Sequence, residues 1–195
     1  MNLTRFHPVR LAGILLTSLL LSGCAEAILG GVATGAVVAS DKRTLGATIE
    51  DQQIEGSARR LVKANSALAQ DNHFSFTSYN RVLLITGEIR EERLKTELDQ
   101  SLRAIPNLRR IHNELTVAAP SSSMSRMSDT YLTAKVKTRL LLEKDLNPNR
   151  FKVVSENGRV YLMGLCSRKD GNQAALVARK TAGVQAVVTL FEYLD

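Results

Sequence analysis

The chain repeats itself, and the repeat confines it to a small domain used twice. Val62-Lys63 aligns with Val136-Lys137 and Asp71 with Asp145 at an offset of 74. Phe74 aligns with Phe151, Asn80 with Asn157, and Leu83-Leu84-Ile85-Thr86-Gly87 with Val160-Tyr161-Leu162-Met163-Gly164, at an offset of 77. Ile111, Asn113 and Leu115 then match Val187, Thr189 and Phe191 at 76. The step from 74 to 77 implies three extra residues in the second copy, near Leu146-Asn147-Pro148. Each copy is about 65 residues, a size at which a single core is marginal but workable.

Periodicity assigns the same element order to both copies. The first reads as a helix over 53–69, strands at 74–78 and 82–87, a helix over 91–105 stopped by Pro106, and a strand over 109–117. The second reads as a helix over 130–142 with Asp129 as its N-cap, a strand at 151–155, the hairpin turn Asn157-Gly158 and a returning strand at 159–165. A helix over 168–182, a C-cap at Gly183 and a strand at 186–194 follow. The second and third strands of each copy are joined through a helix, so they lie parallel. The predicted class is α+β: two αββαβ domains, each a three-stranded mixed sheet with two helices on one face. Ala118-Ala119-Pro120-Ser121-Ser122-Ser123-Met124-Ser125 has no apolar period and reads as a flexible linker. The expected organisation is a leader at 1–23, a tether at 24–50, domains at 51–118 and 129–195, and a linker at 119–128 between domains that fold independently.

The N-terminus carries Arg5 and Arg10 and then an apolar run from Leu11 to Leu21 that ends in Leu21-Ser22-Gly23-Cys24. The run is too short for about 30 Å of hydrocarbon at about 1.5 Å per residue, so it reads as a signal peptide, not a span. Its cleavage site ends on cysteine and resembles a bacterial lipobox. That resemblance implies a chain beginning at Cys24 and acylated there, with palmitate-like chains, and Ala25 in place of aspartate implies sorting to the outer membrane. Past this anchor the only thiol is Cys166, so no intramolecular disulfide is available; Cys166 follows an apolar strand and is expected to pack in the core.

The net charge of +7 falls to +5 without Arg5 and Arg10. Residues 51–118 carry ten Lys/Arg against nine Asp/Glu, whereas 129–195 carry eleven against seven, a balance of +4. The second domain therefore favours an anionic partner, and for an exported lipoprotein that partner is a membrane headgroup and not nucleic acid. Nothing is arranged for catalysis. Glu91, Glu92, Glu97 and Asp99 alternate with Arg93, Lys95 and Arg103 as a solvated helix face, and His112 has no serine or aspartate relay. His73, His112 and one thiol are too few for a zinc or haem pattern, so no metal, cofactor or small-molecule substrate is expected.

One helix face stands apart. At 100° per residue Leu132, Val136 and Leu140 form a core stripe, and opposite it fall Tyr131, Ala134, Lys135, Thr138 and Leu142, bordered by Lys137 and Arg139. An aromatic and a leucine flanked by cations suit a membrane interface; an ordinary surface helix or a face packed on the first domain would also account for them. At the position aligned with Tyr131 the first copy has Ser57, followed by Leu61 and Asn65.

The αββαβ order, Gly87 and Gly164, and the closing phrases Pro106-Asn107-Leu108-Arg109-Arg110-Ile111-His112-Asn113 and Gly183-Val184-Gln185-Ala186-Val187 resemble two BON domains. With the lipobox, Asp41-x-Arg43-Thr44-x-Gly46 and Ser128-Asp129-Thr130-Tyr131, the chain is similar to the dual-BON outer-membrane lipoproteins over essentially its whole length. The resemblance implies a non-enzymatic lipoprotein on the periplasmic face. In that family the first helix of the second domain binds anionic phospholipid, chiefly phosphatidylglycerol, and supports envelope integrity, with a role at division sites. The residues so implicated are Tyr131, Ala134, Lys135, Lys137, Thr138, Arg139 and Leu142. The family has tryptophan at Tyr131 and threonine at Ala134, so the aromatic is kept and one hydroxyl is lost. The alternatives are an adaptor docking another envelope protein and, more weakly, a chaperone.

Overall fold

The structure is a computed structural model that describes residues 43–195. The expectations at Cys24 and through residue 42 lie outside the described residues. The elements run α1 (Leu45–Ala64), α2 (Ser66–Ala69), β1 (His73–Tyr79), β2 (Val82–Ile89), α3 (Glu92–Leu102), β3 (Arg110–Asn113) and β4 (Thr116–Val117). They continue with α4 (Ser123–Leu142), a 3-10 turn (Pro148–Arg150), β5 (Phe151–Glu156), β6 (Arg159–Cys166), α5 (Arg168–Arg179) and β7 (Ala186–Tyr193). In each half an antiparallel hairpin is extended by a parallel strand, giving the orders β1-β2-β3, with β4 also on β2, and β5-β6-β7. The two αββαβ units of the sequence reading are present.

Both long helices start earlier than their periodicity suggests. Thr44 caps α1 by accepting from Ala47 N, and Ser122 caps α4 by accepting from Ser125 N. Most of the stretch read as linker, residues 123–128 of 119–128, is thus helical. Asp129 is no N-cap: it lies inside α4, buried, and its carboxylate accepts from Asn157 N and Gly158 N at 2.9 Å each. Asp51 does the same in the first copy, accepting from Asn80 N at 2.8 Å and Arg81 N at 2.6 Å, with Ser78 Oγ and the Arg43 guanidinium as further donors at 2.7 Å. Both hairpin tips hold two residues at positive φ, Asn80-Arg81 and Asn157-Gly158, so their amides turn inward toward one carboxylate.

These paired aspartates correct the alignment of the helices. Asp51 matches Asp129, Ile54 matches Leu132 and Ala58 matches Val136, all buried and all at an offset of 78, one helical turn from the 74 read from Val62 and Val136. Tyr131 therefore corresponds to Gln53 and not to Ser57. From Asp51 to Phe74 is one residue longer than from Asp129 to Phe151, so the three-residue insertion disappears. The connectors differ in kind: the first copy has α2, capped by Asn65, and the second has the 3-10 turn, capped by Asn147.

The strand expected over 109–117 is broken between β3 and β4. Asn113 Oδ1 accepts from Leu115 N at 3.2 Å, and the bend drops Leu115 into the core. At the aligned glycines, a side chain on Gly87, at φ 117°, would strike the His73 carbonyl, and one on Gly164 would strike that of Arg150.

Ile54, Phe76, Leu83, Ile85, Leu98 and Leu102 fill the first core, and Leu132, Val136, Val153, Val160, Leu162 and Cys166 the second. A third cluster belongs to both copies: Tyr79, Val82 and Leu84 from one sheet and Tyr161, Met163 and Leu165 from the other. Helices cover one face of each sheet, and the uncovered faces pack on each other. Hydrogen bonds close the seam at its ends. Tyr79 Oη donates to the Arg150 carbonyl, and Asn80 and Arg109 reach Glu192 at one end; Asn157 donates to Glu88, and Thr86 to Glu156, at the other. The expectation of two self-contained cores holds for the helical faces and fails for the sheet faces.

Candidate functional site

Helix α4 is pinned on one side by Leu132, Val136, Leu140 and the Asp129 carboxylate. Its opposite side carries Tyr131, 69 % exposed, and Leu142, 76 % exposed, with Ala134 and Thr138 exposed between them. Thr138 Oγ1 donates back to the Ala134 carbonyl at 3.0 Å, which removes its hydroxyl hydrogen from outward use. The extra helical turns add two residues that the sequence reading left in the linker: Met124, 74 % exposed, and Met127, 66 % exposed. Met124, Met127, Tyr131, Ala134, Thr138 and Leu142 follow one another at spacings of three or four, a single stripe about 27 Å long at about 1.5 Å per residue. The signal for Met124 and Met127 was that same spacing, hidden because the serines around them read as linker.

The cations flank the stripe unequally. Lys135 Nζ donates to the Ala182 carbonyl at 2.9 Å and Arg139 Nη1 to the Lys180 carbonyl at 2.6 Å. Both thus sit over the C-terminal end of α5, where its unpaired carbonyls attract positive charge. Arg179 and Lys180, exposed at that end, join Arg139 on the same rim, and neither was singled out from sequence. Lys137 is exposed on the other border. Tyr131 also walls a cleft of 480 Å³ with Ser128, Leu132, Gly158, Gly183 and Gln185. The implicated residues therefore share one helix surface, with two of the three cations held to carbonyls.

The first copy has no such continuous stripe and no aromatic on it. Gln53 stands where Tyr131 does, and the exposed large apolar residues on the equivalent side, Leu45 and Ile49, are confined to the first turns of α1. Ser57 is half-buried and accepts from Arg60, and Asn65 is occupied as the α2 cap. Among the described residues no helix is long and apolar enough to cross a membrane.

The BON domain family matches residues 50–119 and again 128–195. The chain is similar to outer membrane lipoprotein DolP of Haemophilus influenzae, at 32 % identity over 96 % of this chain and 98 % of that protein. It is also similar to a 21 kDa hemolysin of Actinobacillus pleuropneumoniae, at 23 % identity over 80 % of each chain. Among solved structures, CdsD, a structural protein of the type III secretion system of Chlamydia trachomatis, aligns over 71 % of this chain and 91 % of its own, with a TM-score of 0.30 and 13 % identity. Two complete αββαβ units, a family match over each and 32 % identity along nearly the whole length of an outer membrane lipoprotein place the chain in the BON-domain family, as a dual-BON, lipid-anchored outer-membrane lipoprotein.

Proposed function

We propose that the protein is a non-enzymatic, periplasm-facing lipoprotein that binds anionic phospholipid through the exposed stripe of α4 and thereby supports outer-membrane integrity. The observation that carries this reading is the stripe itself: Met124, Met127, Tyr131 and Leu142 are left in solvent on a helix whose other face is fixed in the core. An apolar stripe of that length between basic borders suits the headgroup boundary, where the ring and thioethers enter and Lys137, Arg179 and Lys180 meet phosphate. Each cation near the surface contributes about 1 kcal/mol, and the lipid anchor makes weak contacts sufficient by holding the domain at high local concentration.

Flotation with phosphatidylglycerol vesicles tests it, using protein that lacks residues 1–24 so that the anchor plays no part. Tyr131→Glu with Met127→Glu is expected to abolish binding. Lys137→Glu with Lys180→Glu should remove the salt-sensitive part, because these cations hold no carbonyl of α5, whereas Lys135 and Arg139 do. Gln53→Glu in the first copy should change nothing. Binding that survives the double change in folded protein moves the site off α4 and favours an adaptor that docks an envelope protein.

A further inference from the structure

At one end of the seam between the repeats, three strands bring together side chains that no contact described above employs as a group. His73 on β1 and Glu88 on β2 are direct partners across the first hairpin, and Glu156 ends β5 of the second repeat. A ring nitrogen of His73 and a carboxylate oxygen from each glutamate all lie within 4.8 Å of one another. Glu88 is 2 % exposed and Glu156 8 %. Among the described residues neither glutamate forms an ion pair. Arg126 stands close by, but its guanidinium donates to the Ser121 carbonyl and to Ser123 Oγ. Arg126 lends the pocket some positive charge but bonds neither carboxylate, and two buried carboxylates facing each other without an ion pair are costly; a bound metal is one of the few groups that offsets that cost.

We propose that His73, Glu88 and Glu156 form a divalent-metal site of the zinc class that staples the first repeat to the second. An imidazole with two carboxylates is a borderline nitrogen and oxygen donor set, suited to zinc and its d-block neighbours, with a further position left for water. The ligands are held from behind. Glu88 accepts from Asn157 Nδ2 at 2.8 Å and Ser121 N at 3.1 Å, and Glu156 Oε2 accepts from Thr86 Oγ1 at 3.1 Å, which leaves lone pairs on both carboxylates. A cleft of 470 Å³, lined by His73, Thr133, Lys152 and Glu156 among others, gives an ion entry from solvent and room for the water.

The local electrostatics agree with the geometry. Burial, with the Arg126 charge, holds His73 below 6.5 despite Glu88, so its imidazole is neutral and keeps a lone pair. Burial pushes Glu88 up, but the Asn157 and Ser121 donors prevail and keep it below 4.5. Burial, with the neighbouring Glu88 and Asp129 charges, raises Glu156 above 4.5 against the Thr86 donor and the Arg126 charge, which pull it down. Counting histidines and thiols in the sequence missed this set because two of its three members are carboxylates 68 residues apart, on different repeats.

The test is zinc titration by calorimetry of the metal-stripped full-length protein in detergent, with thermal unfolding and the absorption of bound cobalt as second readouts. One zinc per chain, a melting temperature that rises with zinc, and a cobalt spectrum without a thiolate band are expected. His73→Ala and Glu156→Gln should each weaken zinc binding more than about tenfold. Glu156→Gln should also raise the melting temperature of the metal-free protein, since it removes the facing charge, while abolishing the response to zinc. His112→Ala should leave binding intact. No saturable binding, or binding unchanged in both His73→Ala and Glu156→Gln, overturns the proposal and leaves the two glutamates with a shared proton in place of a metal.

Discussion

Leu84 sits at the centre of the seam, fully buried, on the face of β2 that meets Tyr161, Met163 and Leu165 of the other sheet. Leu84→Ala removes most of a side chain from a site with rigid sheets on both sides, where little can collapse into the void, so about 3–5 kcal/mol is expected to be lost. With a urea slope of about 2 kcal/mol/M, the unfolding midpoint should fall by about 1.5–2.5 M. The diagnostic result is where the loss appears. If the shared cluster welds the repeats into one unit, amide exchange in β6, which belongs to the untouched second repeat, should quicken as much as that in β2. Residues 123–195 alone would expose Tyr161, Met163 and Leu165, at about 1.5–3 kcal/mol each. That is much of the roughly 5–15 kcal/mol that holds a typical domain together, so the isolated repeat should unfold without a sharp transition. Two separate urea transitions, or β6 protection untouched by Leu84→Ala, would refute the welded-unit reasoning.

The remaining predictions concern two titratable groups, the buried Cys166 and the half-buried His112. Burial pushes the Cys166 thiol up to about 11, helped by the Asp170 and Asp195 charges, so a thiol reagent should fail to label it in the native protein at neutral pH, and Cys166→Ser should cost about 1–3 kcal/mol by thermal or urea unfolding. Burial and the Arg110 charge hold His112 below its ordinary 6.5 against Glu114. The folded chain therefore binds fewer protons there than the unfolded one in the window just below 6.5, so this contribution is complete above 6.5 and is lost as pH falls through the folded value. His112→Gln should flatten the rise in urea midpoint between about pH 5 and pH 7; an unchanged slope would assign that rise to other groups.

The strands were legible in sequence because their turns were: Asn157-Gly158 and the Pro106 stop bound them on either side. What lay on their second face was also written, though in a form that invited a simpler reading. Leu83-Leu84-Ile85 and Val160-Tyr161-Leu162-Met163 are continuous apolar runs, whereas a sheet with one wet face alternates. Every residue of β2 is buried, and so is every residue of β6 after Arg159, as continuous runs require. A composition-based linker between two blocks suggested independence, but the apolar runs on both sides of it said that each sheet needed a second cover.

The helices show why the candidate surface was seen only in part. Sliding a helix by four residues turns it by about 40°, so an apolar stripe of three or four residues overlays itself almost as well in the wrong register as in the right one. Val62 on Val136 is that wrong register. A buried aspartate has no such degeneracy, because its carboxylate must reach two amides at a hairpin tip, and Asp51 and Asp129 reach them in the same way. Once Asp129 is moved from the start of α4 to its interior, the helix must extend through Ser123, and Met124 and Met127 join Tyr131. The exposed stripe then spans the whole helix instead of its last three turns, and its equivalent in the first repeat reads Ile49, Gln53, Gly56 and Arg60. Duplication thus supplied two scaffolds of one topology, and the difference that bears on the candidate surface lies on the one helix face that neither core constrains.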